Sequence, residues 1–244
     1  MILGRLSTKN WQSIMNKPRL FCFTYAGGTR DFFRVIEADL DGVQIVPLEY
    51  AGHGKRHKEE FYKDFDELAD DMFLEIKDSL CDNYALFGYS MGSIALVEVL
   101  KRIVQSGLPQ PNNIFLAAHE PHTKSELLDF TKNELDEWVK VQTIRFGAVP
   151  EKLLNNRVFW RTYLPMYRAD YTIIGKYDFE KLDFHVNIPA TILYSETDTP
   201  FNEMVKWDNF FPCEFHQFSG THFFIRDHHT EIGNIIKDKI GVSR

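Results

Sequence analysis

The stretch YALFGYSMGSIALVEVLKRIV, residues 84–104, decides the fold. Residues 84–89 are apolar and aromatic, which is typical of a buried strand, and residues 91–104 form an apolar helical run that Gly107 can cap. Ser90 lies where the strand turns into the helix, between Gly88 and Gly92. Small neighbours permit a sharp turn that exposes the serine hydroxyl above a sheet. An ordinary tight strand-to-helix turn is the alternative interpretation.

Strands and helices alternate on both sides of this unit. Strands are predicted over residues 20–25, 44–50, 114–118, 190–194 and 214–218, and helices over residues 29–40, 64–80 and 223–240. The alternation predicts a largely parallel central sheet with helices on both faces, which is the arrangement of the α/β-hydrolase fold. Pro47 cannot donate a ladder hydrogen bond, so its strand is expected at a sheet edge or a bulge.

The segment from about residue 123 to 183 interrupts the alternation. It is helical in character and carries large aromatic side chains, among them Trp138 and Tyr171. It also leaves and re-enters the fold between two predicted strands, without a Gly/Ser linker. We therefore expect one domain over residues 1–244, with a helical lid inserted at 123–183.

A serine nucleophile needs a histidine base and an acid that orients the histidine, both following the serine in this fold. Asp198 lies in the loop SETDTP after one predicted strand, and His222 lies in SGTHFF after the last strand. Glu196, two positions from Asp198, is the competing acid. The other candidate bases are excluded by position, because they precede the serine, lie within a strand or lie on the last helix: His53, His57, His216, His228 and His229. The predicted catalytic residues are Ser90, Asp198 and His222.

The tetrahedral intermediate of acyl transfer requires two backbone N–H donors. One is the amide of Met91, at the start of the helix that follows the serine. The second is expected in the loop after the first strand, where Gly27 and Gly28 let the backbone approach the substrate. Ala26 is the predicted donor there, with Tyr25 as the alternative.

Composition limits the function classes. The net charge of −7 argues against nucleic acid as the main partner, and no stretch is apolar enough for a membrane span. Three cysteines without metal-ligand spacing, and an N-terminus without a secretory pattern, indicate a cytoplasmic protein.

His119 and His122 suggest a metal pair, but without a third ligand they are interpreted as residues of a pocket rim. Neither a metal nor a cofactor is expected.

Several motifs together resemble the type II thioesterases that accompany nonribosomal peptide and polyketide synthetases. The matching segments are FTYAGG at 23–28, AGHGKR at 51–56, GYSMG at 88–92, LPMYRADY at 164–171, the acid loop ending at Asp198, and GTHFF at 220–224. The chain departs from the family pattern at Thr24, Ser195 and Thr221. The RADY element is the most discriminating, and Arg168 and Asp170 within it are candidate buried polar anchors.

The resemblance implies a substrate and a partner. The substrate is an acyl or aminoacyl group held as a thioester on the phosphopantetheine arm of a carrier protein, with water as the acceptor and the enzyme acting as a monomer. The basic run at residues 55–58 could meet an acidic carrier or the phosphate of the arm, or be a solvated loop. A small-ester carboxylesterase, an acyltransferase and a catalytically idle carrier-binding module remain as alternatives.

Overall fold

The computed structural model describes residues 17–122 and 130–242. In this part of the chain, six strands form one sheet in which every pairing is parallel. The strands are β1 (Arg19–Phe23), β2 (Gln44–Pro47), β3 (Tyr84–Tyr89), β4 (Asn113–Ala117), β5 (Ala190–Tyr194) and β6 (Cys213–Gln217), arranged in the order β2-β1-β3-β4-β5-β6. The predicted strands and the predicted fold class are confirmed.

The strand that leads to Ser90 lies inside the sheet. β3 pairs with β1 on one side and β4 on the other, and all its residues are buried. By contrast, β2 lies at an edge and ends at Pro47, as predicted from the missing N–H of proline. The proposed nucleophile therefore follows a buried strand that is hydrogen-bonded on both sides.

Helices cover both faces of the sheet, as predicted. They are α1 (Arg34–Glu37), α2 (Phe65–Ile76), α3 (Met91–Gln105), α4 (Lys132–Arg145), α5 (Arg157–Lys176), α6 (Phe201–Met204) and α7 (His229–Lys239). α2 and α3 pack in one core with Leu86, whereas α1 and α7 pack in the other with Phe87. Because successive strand residues point to opposite faces, β3 is apolar at every position. Over the described ranges, each helix is too short or too polar to cross a lipid bilayer.

Two predicted helices are shorter than the periodicity indicates. Residues 29–40 form a 3-10 helix (Arg30–Phe33) followed by the four-residue α1. The C-terminal helix begins at His229, not Phe223, because His228 leaves the helical region at φ −117° and ψ 20°. The preceding residues instead form a 3-10 turn, in which the ring of Phe224 stacks on Phe218 at 5.4 Å. Aromatic packing against the sheet thus overrides local helical propensity here.

The predicted insertion lies between β4 and β5, and residues 123–129 of it are outside the described residues. α4 begins in a capping box formed by Thr131 and Glu134, and α5 packs against it. The Arg168 guanidinium on α5 binds the Asp136 carboxylate on α4 at 2.8 Å. The helical character of the segment is confirmed, whereas its action as a lid and the single-domain organisation of residues 1–244 stay predictions.

Candidate active site

Ser90 adopts a backbone conformation that residues other than glycine rarely occupy. Its φ is 55° and its ψ is −122°, and its N–H donates to the Ala117 carbonyl of β4 at 2.7 Å. A Cβ on Gly88 would lie 2.4 Å from the Gly92 carbonyl oxygen, and a Cβ on Gly92 would lie 2.0 Å from the Phe23 carbonyl oxygen. Both glycines are therefore required for α3 to begin directly against the ends of β1 and β3.

The three predicted catalytic side chains lie in one hydrogen-bonded line. His222 Nε2 lies 3.0 Å from Ser90 Oγ, and His222 Nδ1 lies 3.0 Å and 2.9 Å from the two Asp198 oxygens. A carboxylate can only accept, so the Nδ1 proton faces Asp198 and the Nε2 lone pair faces the serine hydroxyl. The competing acid, Glu196, accepts a hydrogen bond from the Phe201 amide at 3.2 Å instead.

The loop that carries His222 is fixed from three directions. The Tyr89 hydroxyl donates to the His222 carbonyl at 2.6 Å. The Phe146 ring, which follows α4, lies against the imidazole with 4.4 Å between ring centroids. The hydroxyl of Ser195 donates to the Gly220 carbonyl, so a residue that departs from the family pattern links the acid loop to the histidine loop.

The loop after β1 carries backbone N–H groups beside the cavity that contains Ser90. Gly28 N–H donates to the Tyr25 carbonyl at 2.9 Å, and Gly27 N–H donates to the Asp170 carboxylate at 2.6 Å. The N–H groups of Tyr25 and Ala26 have no hydrogen-bond partner among the described residues. Ala26 lines the same cavity as Ser90, and Met91 is the first residue of α3, so its amide is not needed within the helix. The geometry thus makes both predicted donors available.

Asp170 is buried, as predicted for a polar anchor, and Arg168 is half-buried in its ion pair with Asp136. The Asp170 carboxylate also lies 2.9 Å from His53 Nε2, and both side chains are almost fully buried. His53 precedes the serine in the chain, so its position excluded it as a catalytic base, and no other role was predicted for it. Its place in the AGHGKR segment was the signal that could have identified it.

A cavity of about 830 Å³ opens onto Ser90 and His222. Its lining includes side chains of the insertion: Trp138, Gln142, Arg145, Phe146 and Tyr171. The basic run at residues 55–58 is not part of this lining. Within that run, the Arg56 guanidinium is paired with Glu59 and with Asp71 of α2.

His119 and His122 line the same cavity, as predicted for rim residues. Their rings meet edge to face with 5.1 Å between centroids, and His122 Nε2 donates to the Ile174 carbonyl at 3.0 Å. Burial lowers the pKa of His119 well below its usual range, and the neighbouring His122 and His222 lower it further. In residues 17–122 and 130–242, no group of three His, Cys, Asp or Glu side chains is arranged to hold a metal ion.

Comparison with known proteins gives a consistent family. A family model described as thioesterase domain matches residues 18–240. The medium-chain S-acyl fatty acid synthase thioesterase of Rattus norvegicus is 28% identical over 230 residues, which cover 91% of this chain and 86% of that protein. The probable cadicidin biosynthesis thioesterase of Streptomyces griseus is 28% identical over 215 residues, which cover 86% of this chain and 59% of that protein.

The fold is shared with solved thioesterase structures. RedJ, the thioesterase from the prodiginine biosynthetic pathway in Streptomyces coelicolor, superimposes with a TM-score of 0.80 at 24% identity. The superposition covers 93% of this chain and 87% of RedJ.

Proposed function

Because this chain belongs to the thioesterase domain family, we propose that it is a type II thioesterase of nonribosomal peptide or polyketide synthesis. Its substrates are acyl or aminoacyl groups held as thioesters on the phosphopantetheine arm of a carrier protein, and its task is to remove stalled or wrong acyl groups. The motifs FTYAGG, GYSMG and RADY support this proposal, as do relatives named for fatty acid synthase and for cadicidin biosynthesis. We further propose that the protein acts as a monomer, which light scattering can test.

The observation that carries the proposal is the hydrogen-bonded line from Ser90 through His222 to Asp198, beside the cavity. His222 Nε2 accepts the hydroxyl proton while Ser90 Oγ attacks the thioester carbonyl carbon. The negative charge that develops on the carbonyl oxygen is stabilised by hydrogen bonds from the amides of Met91 and Ala26. Collapse of this intermediate breaks the carbon–sulfur bond, and the pantetheine thiol leaves with the proton.

Water completes the cycle. The acyl group is now an ester on Ser90, and His222 accepts a proton from a water molecule that attacks the ester carbonyl. The resulting intermediate collapses, the bond between Ser90 Oγ and the carbonyl carbon breaks, His222 returns the proton to Ser90, and the free acid leaves. Asp198 keeps the Nδ1 proton in place, so the same nitrogen serves as base in both halves of the reaction. Every proton moves between these side chains and the substrates, and no cofactor takes part.

The insertion is proposed to act as a lid over this chemistry. Phe146 covers one face of the His222 imidazole, and Tyr171 of α5 lines the cavity beside it. An acyl chain in the cavity would therefore contact the insertion on one side and Ser90 on the other. Excluding bulk water strengthens the hydrogen bonds to the oxyanion.

Substrate comparison tests the proposal. The purified protein is offered an acyl-loaded carrier domain, an acyl-pantetheine thioester and a simple oxoester of the same acyl group. We expect release of free acid from both thioesters. Efficient hydrolysis of the oxoester with both thioesters untouched would identify a carboxylesterase, and capture of the acyl group by an added alcohol or amine in place of water would identify an acyltransferase.

Ser90→Ala and Ser106→Ala form the matched pair for the nucleophile, because Ser106 is exposed at the end of α3. A serine-directed phosphonate is expected to label the parent protein and Ser106→Ala but not Ser90→Ala. Thioester hydrolysis should follow the same pattern. Equal hydrolysis by Ser90→Ala would contradict the proposed mechanism and leave carrier binding as the function to test.

A further inference from the structure

A buried carboxylate joins the insertion to the loop that supplies the proposed oxyanion donor. Asp170 lies on α5 and is 3% exposed. Its Oδ2 atom accepts a hydrogen bond from Gly27 N–H at 2.6 Å and lies 2.9 Å from His53 Nε2. Three segments distant in sequence therefore meet at one oxygen atom: the loop after β1, the AGHG loop and α5.

His53 has the right chemistry to balance the charge of this carboxylate. Its Nδ1 atom lies 2.9 Å from the Ala51 carbonyl oxygen, and its Nε2 atom lies 2.9 Å from Asp170. Both partners accept hydrogen bonds, so both ring nitrogens carry protons and the ring is an imidazolium. A buried carboxylate without a cation nearby would carry a large desolvation penalty. The pair therefore sets a cation against the carboxylate at 2.9 Å inside the protein, and Glu49 is a further acidic group near His53.

The loop after β1 is held by packing as well as by this hydrogen bond. Gly27 has φ +76°, and a Cβ there would lie 2.0 Å from the Tyr167 ring. Tyr167 and Asp170 lie three residues apart on the same face of α5, and both contact Gly27. The peptide that joins Ala26 to Gly27 is thus fixed in direction, and the Ala26 amide beside it has no hydrogen-bond partner in the part of the chain that the structure describes.

We propose that Asp170, with its charge balanced by His53, is a positioning residue for the oxyanion hole. This inference rests on the proposed function, in which Ala26 N–H stabilises the tetrahedral intermediate. Asp170 touches neither the substrate nor Ser90. It fixes the peptide next to the donor, so that the Ala26 amide points at the position the oxyanion will occupy. The stabilisation acts in the transition state, so kcat depends on Asp170 more than KM does.

Asp170→Asn tests the inference, and Asp136→Asn is its control. Both changes remove one charge from an ion pair of the insertion, but Asp136 contacts Arg168 and not the loop after β1. With an acyl-pantetheine thioester, we expect kcat to fall about tenfold to hundredfold in Asp170→Asn with KM little changed. Asp136→Asn should lower the melting temperature and leave kcat unchanged.

His53→Gln and the double variant His53→Gln/Asp170→Asn keep the test decisive if Asp170→Asn folds poorly. The double variant replaces the ion pair by two neutral amides, so we expect it to regain part of the kcat lost in Asp170→Asn. Kinetic losses that multiply as if the sites were independent would overturn the inference. So would an Asp170→Asn protein that melts at lower temperature but keeps the parent kcat.

The two proposals can fail separately. An active parent enzyme whose kcat is unaffected by Asp170→Asn overturns the positioning role alone. A parent protein that hydrolyses none of the thioesters overturns the proposed function and the positioning role together.

Discussion

The Tyr89 hydroxyl donates a hydrogen bond to the carbonyl oxygen of His222 at 2.6 Å. The residue directly before the proposed nucleophile therefore fixes the backbone of the proposed base, 133 positions later in the chain. Both ends of this bond are buried, so water does not compete for it, and the bond ties β3 to the loop after β6. On the same residue, His222 Nε2 lies 3.0 Å from Ser90 Oγ.

Tyr89→Phe should weaken both folding and catalysis. The change leaves a buried carbonyl without its donor, which we expect to lower the free energy of unfolding by about 1–3 kcal/mol. The His222 loop is then less firmly placed, and kcat should fall by about tenfold. Denaturant unfolding and steady-state kinetics measure the two effects. Tyr177→Phe, which removes a hydrogen bond to Glu98, should reduce stability without changing kcat, because neither residue lines the cavity.

Asp198→Asn should separate the two acids that the sequence left in competition. An asparagine can present its NH₂ group to His222 Nδ1 and so select the wrong tautomer, and we expect kcat to fall by about 10⁴-fold. Glu196→Gln should leave kcat unchanged, since Glu196 binds the Phe201 amide. The measurement is thioester hydrolysis at saturating substrate. A larger loss in Glu196→Gln than in Asp198→Asn would reverse the assignment.

The His53 ion pair should make stability depend on pH. Burial lowers the pKa of the His53 imidazole, but the Asp170 charge and hydrogen bond raise it more, with further contributions from the Ala51 carbonyl and Glu49, so the pKa is above its usual value. A raised folded-state pKa means that protonation stabilises the fold. This contribution is complete below the unfolded pKa of about 6.5 and is lost as pH rises through the folded pKa.

Denaturant unfolding of the parent protein and His53→Gln at a series of pH values measures this effect. The difference in the free energy of unfolding between them should be largest in mild acid and shrink toward alkaline pH. A difference that stays constant with pH would show that the His53 charge is not linked to folding.

Gly92→Ala should be far more damaging than an alanine at another glycine of the same unit. The new Cβ would lie 2.0 Å from the Phe23 carbonyl oxygen, and neither backbone can move without disturbing β1 or α3. We expect the free energy of unfolding to fall by about 3 kcal/mol. Gly107→Ala meets no atom within 4 Å, and its φ of +65° should cost about 1 kcal/mol. Equal losses in the two variants would contradict the steric argument.

Local signals in the sequence were sufficient for much of the fold and for the order of the proposed catalytic residues. The apolar run of β3, the glycines beside Ser90 and the loops after β5 and β6 each depend on neighbours in sequence. The start of α7 did not follow from such signals, because the ring of Phe224 packs on Phe218 and that contact depends on the folded sheet. Periodicity alone therefore extended the helix too far.

The direction in which side chains point was the second feature that the sequence could not predict. Glu196 and Asp198 lie in one loop, and only the folded backbone determines which carboxylate meets His222. The contact between His53 and Asp170 joins residues 117 positions apart, and no periodic pattern relates them. A buried pair of this kind becomes visible only when α5 and the AGHG loop are placed together in three dimensions.

β4 and β5 are hydrogen-bonded neighbours, although the whole insertion lies between them in sequence. The pairing of β4 with β5 therefore uses no residue of the insertion, although Ile173 and Phe179 of the insertion are buried in the core. Grafting the corresponding segment of a relative between these strands would retain β5 and the Asp198 loop. The exchange would nevertheless remove Asp170, so a graft must carry an equivalent carboxylate to accept the hydrogen bond from Gly27 N–H. If Asp170 positions the oxyanion donor as proposed, a chimera that omits the carboxylate is expected to bind substrate but turn it over slowly.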